Sequence, residues 1–181
     1  MPTLDTQFEL LGRASNCHAD LSAAKTEAAL RLRGSMLRMI DRVEGFWPGA
    51  GAAGLGQLRA VKWVDSDEWF FKAHFFQDPV QPGSLGLEAM LQLLQWYLLE
   101  TGAGEGLRAP RFQSIGTARA HRWKYRGQVL PHHATVHTTM EISECGSDAL
   151  GRYATATASL WADGQRIYEA EGLCVRVMEG G

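Results

Sequence analysis

Basic residues are not in excess. Lys and Arg number 18 against 20 Asp and Glu, a formal net charge of −2. A chain of that balance lacks the electropositive surface that neutralises a nucleic-acid backbone. Cysteine is scarce: Cys17, Cys145 and Cys174 are far apart and odd in number. They form no CxxC pair and no disulfide framework, which suits a reduced, cytoplasmic chain. No apolar run is free of polar residues over the thickness of a bilayer. The most apolar stretch, from Leu85 to Leu99, is interrupted by Glu88, Gln92 and Gln95, which excludes an ordinary membrane span. The first ten residues, MPTLDTQFEL, carry Asp5 and Glu9 and lack the basic start and apolar centre of a secretory signal. No GxSxG elbow and no P-loop occurs, and no cysteine has a base partner nearby in sequence.

What remains is a globular chain. With 181 residues, 45% hydrophobic and 21% charged, it can build one core of ordinary size. Residues 1–35 read as a separate arm or interdomain linker. Within it, DLSAAKTEAALRLRG predicts a helix capped by Asp20 and ended by Gly34. The main domain, 36–181, opens with MLRMIDRVEGF. WPGAGAAGLG follows, and its Gly49-Ala50-Gly51-Ala52-Ala53-Gly54 formally matches GxGxxG. A phosphate loop needs a strand before it and a helix after it. Here Pro48 precedes and a strand-like QLRAVKWV follows, so a hairpin connection is expected.

SDEWFFKAHFFQDPVQPG reads as an ordered, irregular approach to a helix. Ser84 is placed to cap that helix and Gly102 to end it. The helix is apolar on nearly every face, which predicts a buried position. After Gly102 the pattern turns to strands: FQSIGTARAHRWKY, GQVLPHHATVHTTMEISEC, GRYATATASLWAD and QRIYEAEGLCVRVM. Asp163-Gly164 reads as the centre of a two-residue hairpin. The expected class is α+β, an antiparallel sheet wrapped around one long helix.

Glu88 stands out inside that helix. Desolvation favours its neutral form, and the nearby helix N-terminus favours the anion, so it can exchange a proton near neutral pH. Gln92, one turn on, is placed to orient it. His74 lies just before the Asp78-Pro79…Pro82-Gly83 break, and imidazole is the natural base at neutral pH. The N–H of Gly83 sits where the helix dipole favours developing negative charge. Base, acid and oxyanion donor together suffice to abstract a proton α to a thioester carbonyl and expel a β-hydroxyl. Taken singly, the bland alternatives are a core histidine and a carboxylate facing solvent or a partner. His133 and His137 fall on one face of a strand but about 13 Å apart, too far to share a metal. RAHRWKYRG is a basic run, either a solvated strand face or a dock for an acidic carrier.

WFFKAHFFQDPVQPGSLGLEAMLQLLQWYL, together with MLRMIDRV from Met36, YRGQVLP from Tyr125 and WADGQRIYEA from Trp161, resembles the β-hydroxyacyl-ACP dehydratases of the hotdog fold. The likeness is greatest to the β-hydroxydecanoyl-ACP dehydratase/isomerase branch and runs in order over most of the chain. In style the sequence is similar to dehydratase domains of polyunsaturated fatty acid synthases and iterative polyketide synthases. The resemblance implies that His74 and Glu88 are catalytic and that Gly83 N–H holds the thioester carbonyl. It implies that Gln92 supports the carboxylate, with Phe75, Pro82 and Ser84 at the substrate. Three residues depart from the decanoyl pattern: Gln81 stands for the usual methionine, Ser84 for cysteine and Glu88 for aspartate. Implied too are a homodimer or a pseudo-dimer of tandem hotdogs, the histidine of one facing the carboxylate of the other. The implied substrate is a (3R)-hydroxyacyl thioester on the phosphopantetheine of an acyl carrier protein, with no metal or nucleotide cofactor. The implied product is a trans-2-enoyl thioester, with trans-2/cis-3 isomerisation the further activity of the decanoyl branch. A hotdog acyl thioesterase and a catalytically silent structural hotdog are the alternatives.

Overall fold

The apolar run after Pro82 folds as a single helix, and the sheet curls around it. The computed structural model describes residues 19–20, 35–113, 115 and 119–180. In chain order its elements are β1 (Ala19–Asp20), β2 (Arg42–Trp47), β3 (Gln57–Trp63), α1 (Trp69–Ala73), α2 (Gly83–Glu100), β4 (Arg111–Phe112), β5 (Arg122–Tyr125), β6 (Thr135–Asp148), β7 (Gly151–Ala162) and β8 (Gln165–Met178). One antiparallel sheet runs β1-β2-β3-β6-β7-β8-β4. β5 also pairs with β8, through Arg122↔Glu171 to Tyr125↔Tyr168, so β4 and β5 share one edge of that strand. Among the described residues no helix is long and apolar enough to cross a membrane.

Period-two alternation sets the inner face. Val136, Met140 and Ile142 of β6 and Ala154, Ala156, Ala158 and Leu160 of β7 are buried. The small alanines let α2 approach the sheet. On the helix, Leu85, Ala89, Met90, Leu91, Leu93, Leu94, Trp96, Tyr97 and Leu98 are all buried. Each large apolar side chain so covered contributes about 1.5–3 kcal/mol.

The C-terminus of α2 behaves as expected. Gly102 has φ +70°, its N–H donates to Leu99 O, and Ala103 N–H donates to Leu98 O. That is a Schellman stop, which requires a left-handed residue where glycine stands. The N-terminus differs from expectation. Pro82 occupies the cap position, no side chain caps the helix, and Ser84 is an exposed second residue inside it. Proline sits there with φ −51° and ψ 131°, which puts the cap two residues before the serine.

Other segments need correction. The approach to α2 contains the five-residue α1, anchored by Lys62 Nζ at 2.7 Å from Glu68 Oε1. FQSIGTARAHRWKY is not one strand but the two short strands β4 and β5. GQVLPHHA precedes β6 rather than joining it. Asp20 lies on β1, paired with Arg42, and the helix expected after it lies outside the described residues. The glycine-rich segment is indeed the β2–β3 hairpin, with Gly49, Gly51 and Gly54 at positive φ. Glu141 holds it, accepting from Ala52 N–H and from Gln57 Nε2. Asp163 and Gly164, at φ +44° and +82°, turn the β7–β8 hairpin as their sequence predicts.

Candidate active site

His74 follows α1 as its C-terminal cap residue. Its N–H donates to Phe70 O at 2.9 Å, and its carbonyl accepts Val80 N–H at 2.8 Å. The ring Nδ1 lies 2.9 Å from Val80 O. A carbonyl can only accept, so Nδ1 carries a proton, and in the neutral ring the lone pair is on Nε2. The sequence leads one to expect a base here; the fold determines which ring nitrogen is tied to the backbone. Phe75 stacks on the His74 ring, centroids 3.7 Å apart.

The loop then turns back. Gln81 N–H donates to Val129 O at 3.0 Å, and the Gln81 side chain is buried. This directs the chain through Pro82 into α2. Gly83, the first helical residue, has an N–H with no intrahelical acceptor, at the positive end of an 18-residue dipole. A Cβ on Gly83 would lie 2.7 Å from Tyr125 Cε2 and 3.3 Å from Trp123. One on Gly86 would collide with Tyr168 Cε2. Gly83 and Gly86 are three apart, on one helix face. Tyr125 and Tyr168 are cross-strand partners whose rings lie 4.7 Å apart at 33°. The first turn of α2 therefore rests on a stacked tyrosine pair.

Glu88, half-buried, lies further along α2. Gln92 Nε2 donates to Glu88 Oε1 at 2.9 Å and to Leu37 O at 2.6 Å. Met39 N–H donates to Gln92 Oε1 at 2.8 Å. Because Met39 N–H can only donate, the orientation of the buried amide is determined. Gln92 thus ties the carboxylate to the segment entering β2, as well as orienting it along the helix.

The chain brings His74 to the start of α2 through Val80, and it holds Glu88 to Gln92. Among the described residues no hydrogen bond joins His74 to Glu88. The chain on either side of His74 and the segment bonded to Gln92 carry exposed apolar side chains: Met36, Leu37, Trp69, Phe75 and Phe76, the last 91% exposed. Trp69 Nε1 donates to Met36 O, which links the surround of His74 to that of Gln92. Such a patch is unusual for a free surface.

Sequence reasoning missed Trp123, Tyr125 and Tyr168. The one available signal was the glycine pair three apart in an otherwise bulky helix, which marks a close approach from outside. The two histidines considered for metal have different surroundings. His133 Nδ1 accepts from Leu130 N–H, and His137 Nε2 lies 3.5 Å from Glu44. Among the described residues no three His, Cys, Asp or Glu side chains converge as metal ligands. In the basic run, Arg122 pairs with Glu171, and Lys124 and Arg126 share Glu169 with Arg166.

A model of the FabA-like domain matches residues 32–171. The chain belongs to the FabA-like family. This FabA-like domain is 32% identical over 159 residues to one of the subunits of a polyunsaturated fatty acid synthase from Thraustochytrium sp. (strain ATCC 26185 / S-3). That match takes in 87% of the chain but only 10% of the relative's length. Among solved structures, the dehydratase heterocomplex ApeI:P from Xenorhabdus doucetiae aligns with a TM-score of 0.51 at 14% identity, over 80% of this chain and 85% of that one. At that identity the likeness speaks for the fold alone, a hotdog. A hypothetical thioesterase with coenzyme A from Streptococcus pneumoniae TIGR4 aligns at a TM-score of 0.45 and 8% identity, over 68% of this chain and 81% of that one.

Proposed function

We propose that the protein dehydrates (3R)-hydroxyacyl thioesters, carried on the phosphopantetheine arm of an acyl carrier protein, to trans-2-enoyl thioesters. The observation that carries this is the His74 ring. Its Nδ1–H is committed to Val80 O, which leaves Nε2 as the basic nitrogen, on the loop that leads into α2. His74 Nε2 removes the C2 proton. The electron pair moves onto the carbonyl oxygen, where the Gly83 N–H and the helix dipole stabilise it. On collapse the carbonyl reforms, the C2–C3 double bond forms, and the C3–O bond breaks. Glu88, protonated, donates to the departing hydroxyl, which leaves as water. A proton passed from His74 to Glu88 resets the pair. Gln92 positions Glu88, and Phe75, Pro82 and Ser84 border the acyl group. Nothing in these steps calls for a metal or nucleotide. The likeness to part of a polyunsaturated fatty acid synthase favours fatty acid or polyketide synthesis as the setting, with trans-2/cis-3 isomerisation as a second activity to assay.

His74 and Glu88 are not bonded within one chain, and exposed apolar side chains flank His74 and the segment bonded to Gln92. These facts favour a site shared by two hotdogs, in which the histidine of one faces the carboxylate of the other. The test is turnover of a 3-hydroxyacyl carrier substrate by His74→Ala and Glu88→Gln, separately and mixed. Each alone is expected to lose activity by about 100-fold or more. Exchange of protomers between the two variants rebuilds one intact site in each mixed dimer, so about a quarter of wild-type activity returns. Wild-type turnover in either single variant would refute the assignment. Absence of recovery on mixing would place both residues in one chain's site. Release of free thiol in place of enoyl product would make the protein a thioesterase.

A further inference from the structure

Tyr168 is 0% exposed, and its hydroxyl has no hydrogen-bond partner among the described residues. A buried phenol oxygen left unpaired is unfavourable, and such a group calls for an explanation. Its surroundings supply one. The ring lies against Gly86 and Leu160, and so against the first turn of α2, the turn that presents the Gly83 N–H. An unpartnered, buried hydroxyl therefore belongs to a ring packed on the turn that opens with the Gly83 N–H. Resting on the dehydration described above, we infer that the Tyr168 hydroxyl is a second hydrogen-bond donor at the acyl site, acting on the thioester oxygen beside the Gly83 N–H.

Three observations support it. A single donor is a weak oxyanion site, and two converging donors form a strong one. Burial raises the Tyr168 pKa well above the ordinary tyrosine value, and the Tyr125 phenol, close but not in hydrogen-bonding geometry, adds to this. The group is therefore a neutral donor and not a base. Access is through the cover: Tyr125 and Trp123, 44% and 37% exposed, lie over Gly83, and Tyr125 stacks on Tyr168 while Trp123 meets it edge-on. Both belong to β5, whose four residues are all exposed. Tyr125 must turn away from the stack when the acyl group binds, so that the thioester reaches the Tyr168 hydroxyl.

The test is Tyr168→Phe, which keeps the ring and removes only the oxygen. Three readings are taken: turnover of a 3-hydroxyacyl pantetheine thioester, affinity for the unreactive acyl-pantetheine amide by calorimetry, and Tm. Turnover should fall about 100-fold and amide affinity about tenfold, with Tm unchanged or raised because no internal bond is lost. Equal amide affinity in the two proteins overturns the inference. A Tm lowered by several degrees also overturns it, by giving the hydroxyl a structural partner. If the wild type dehydrates nothing but the amide still binds more weakly to the variant, the donor assignment stands and the dehydration fails.

Discussion

Replacing Gln92 by Leu separates its two jobs. The side chain is 1% exposed and leucine is of comparable volume, though γ-branched and shorter, so little cavity forms. Met39, 2% exposed, would lose the acceptor of its N–H, a cost of about 1–3 kcal/mol for an unsatisfied buried donor. Glu88 would lose a charge-assisted bond. It is half-buried and water can replace part of that bond, so about 1 kcal/mol is reasonable. Leu37 is 40% exposed, and its carbonyl finds water at little cost. The added apolar surface returns about 1 kcal/mol. The net is a destabilisation of about 2 kcal/mol, or a Tm lower by about 4–8 °C for a domain of this size. Turnover should fall about tenfold at the temperature where the variant is still folded, as Glu88 swings free. Calorimetric melting and steady-state kinetics on the same preparation read both. A Gln92→Leu protein as stable as wild type would refute the bond to Met39. Unchanged turnover would refute the positioning of Glu88.

Gly86→Ala drives a methyl group into Tyr168 and Leu160, and overpacking of this kind costs about 1–3 kcal/mol. Tyr168→Ala should remove most of that added cost in a double-mutant cycle read by urea denaturation, and additive effects would refute the contact. Arg119 and Tyr153 bonds hold Glu144 below the usual carboxylate pKa. For Asp163, desolvation raises the pKa, but the Thr135 and Ala134 N–H bonds outweigh it and the value is lowered. With folded values below unfolded ones, the stability these groups contribute is full above about pH 5, falls as pH drops through the unfolded values and is gone below the folded ones. Glu144→Gln and Asp163→Asn should each flatten the acid limb of a pH series of urea midpoints, and an unchanged limb would count against both networks. Phe76→Asp should leave monomer stability within about 0.5 kcal/mol while weakening self-association in sedimentation velocity and abolishing turnover; an unchanged mass and rate would sever the apolar patch from assembly.

Local features were legible because their causes are local. Gly102 stops α2 because only a residue free to take φ +70° closes that turn. Asp163-Gly164 makes a hairpin for the same reason, and the apolar surround of α2 announced its burial. Glu88 and Gln92 share a helix face by spacing alone, and that pair too was readable. Ser84 was misjudged because the cap depends on how the chain arrives through Pro82, and that path is set by the Gln81–Val129 bond from a distant segment. Other relations also span long stretches of chain. Gln92 reaches Leu37 and Met39 across 55 and 53 residues, and Tyr168 meets Gly86 only once β8 has closed over the helix. Periodicity reports which face of an element is apolar. It carries no information about which distant backbone group or ring will meet that face, because that follows from register and closure of the sheet.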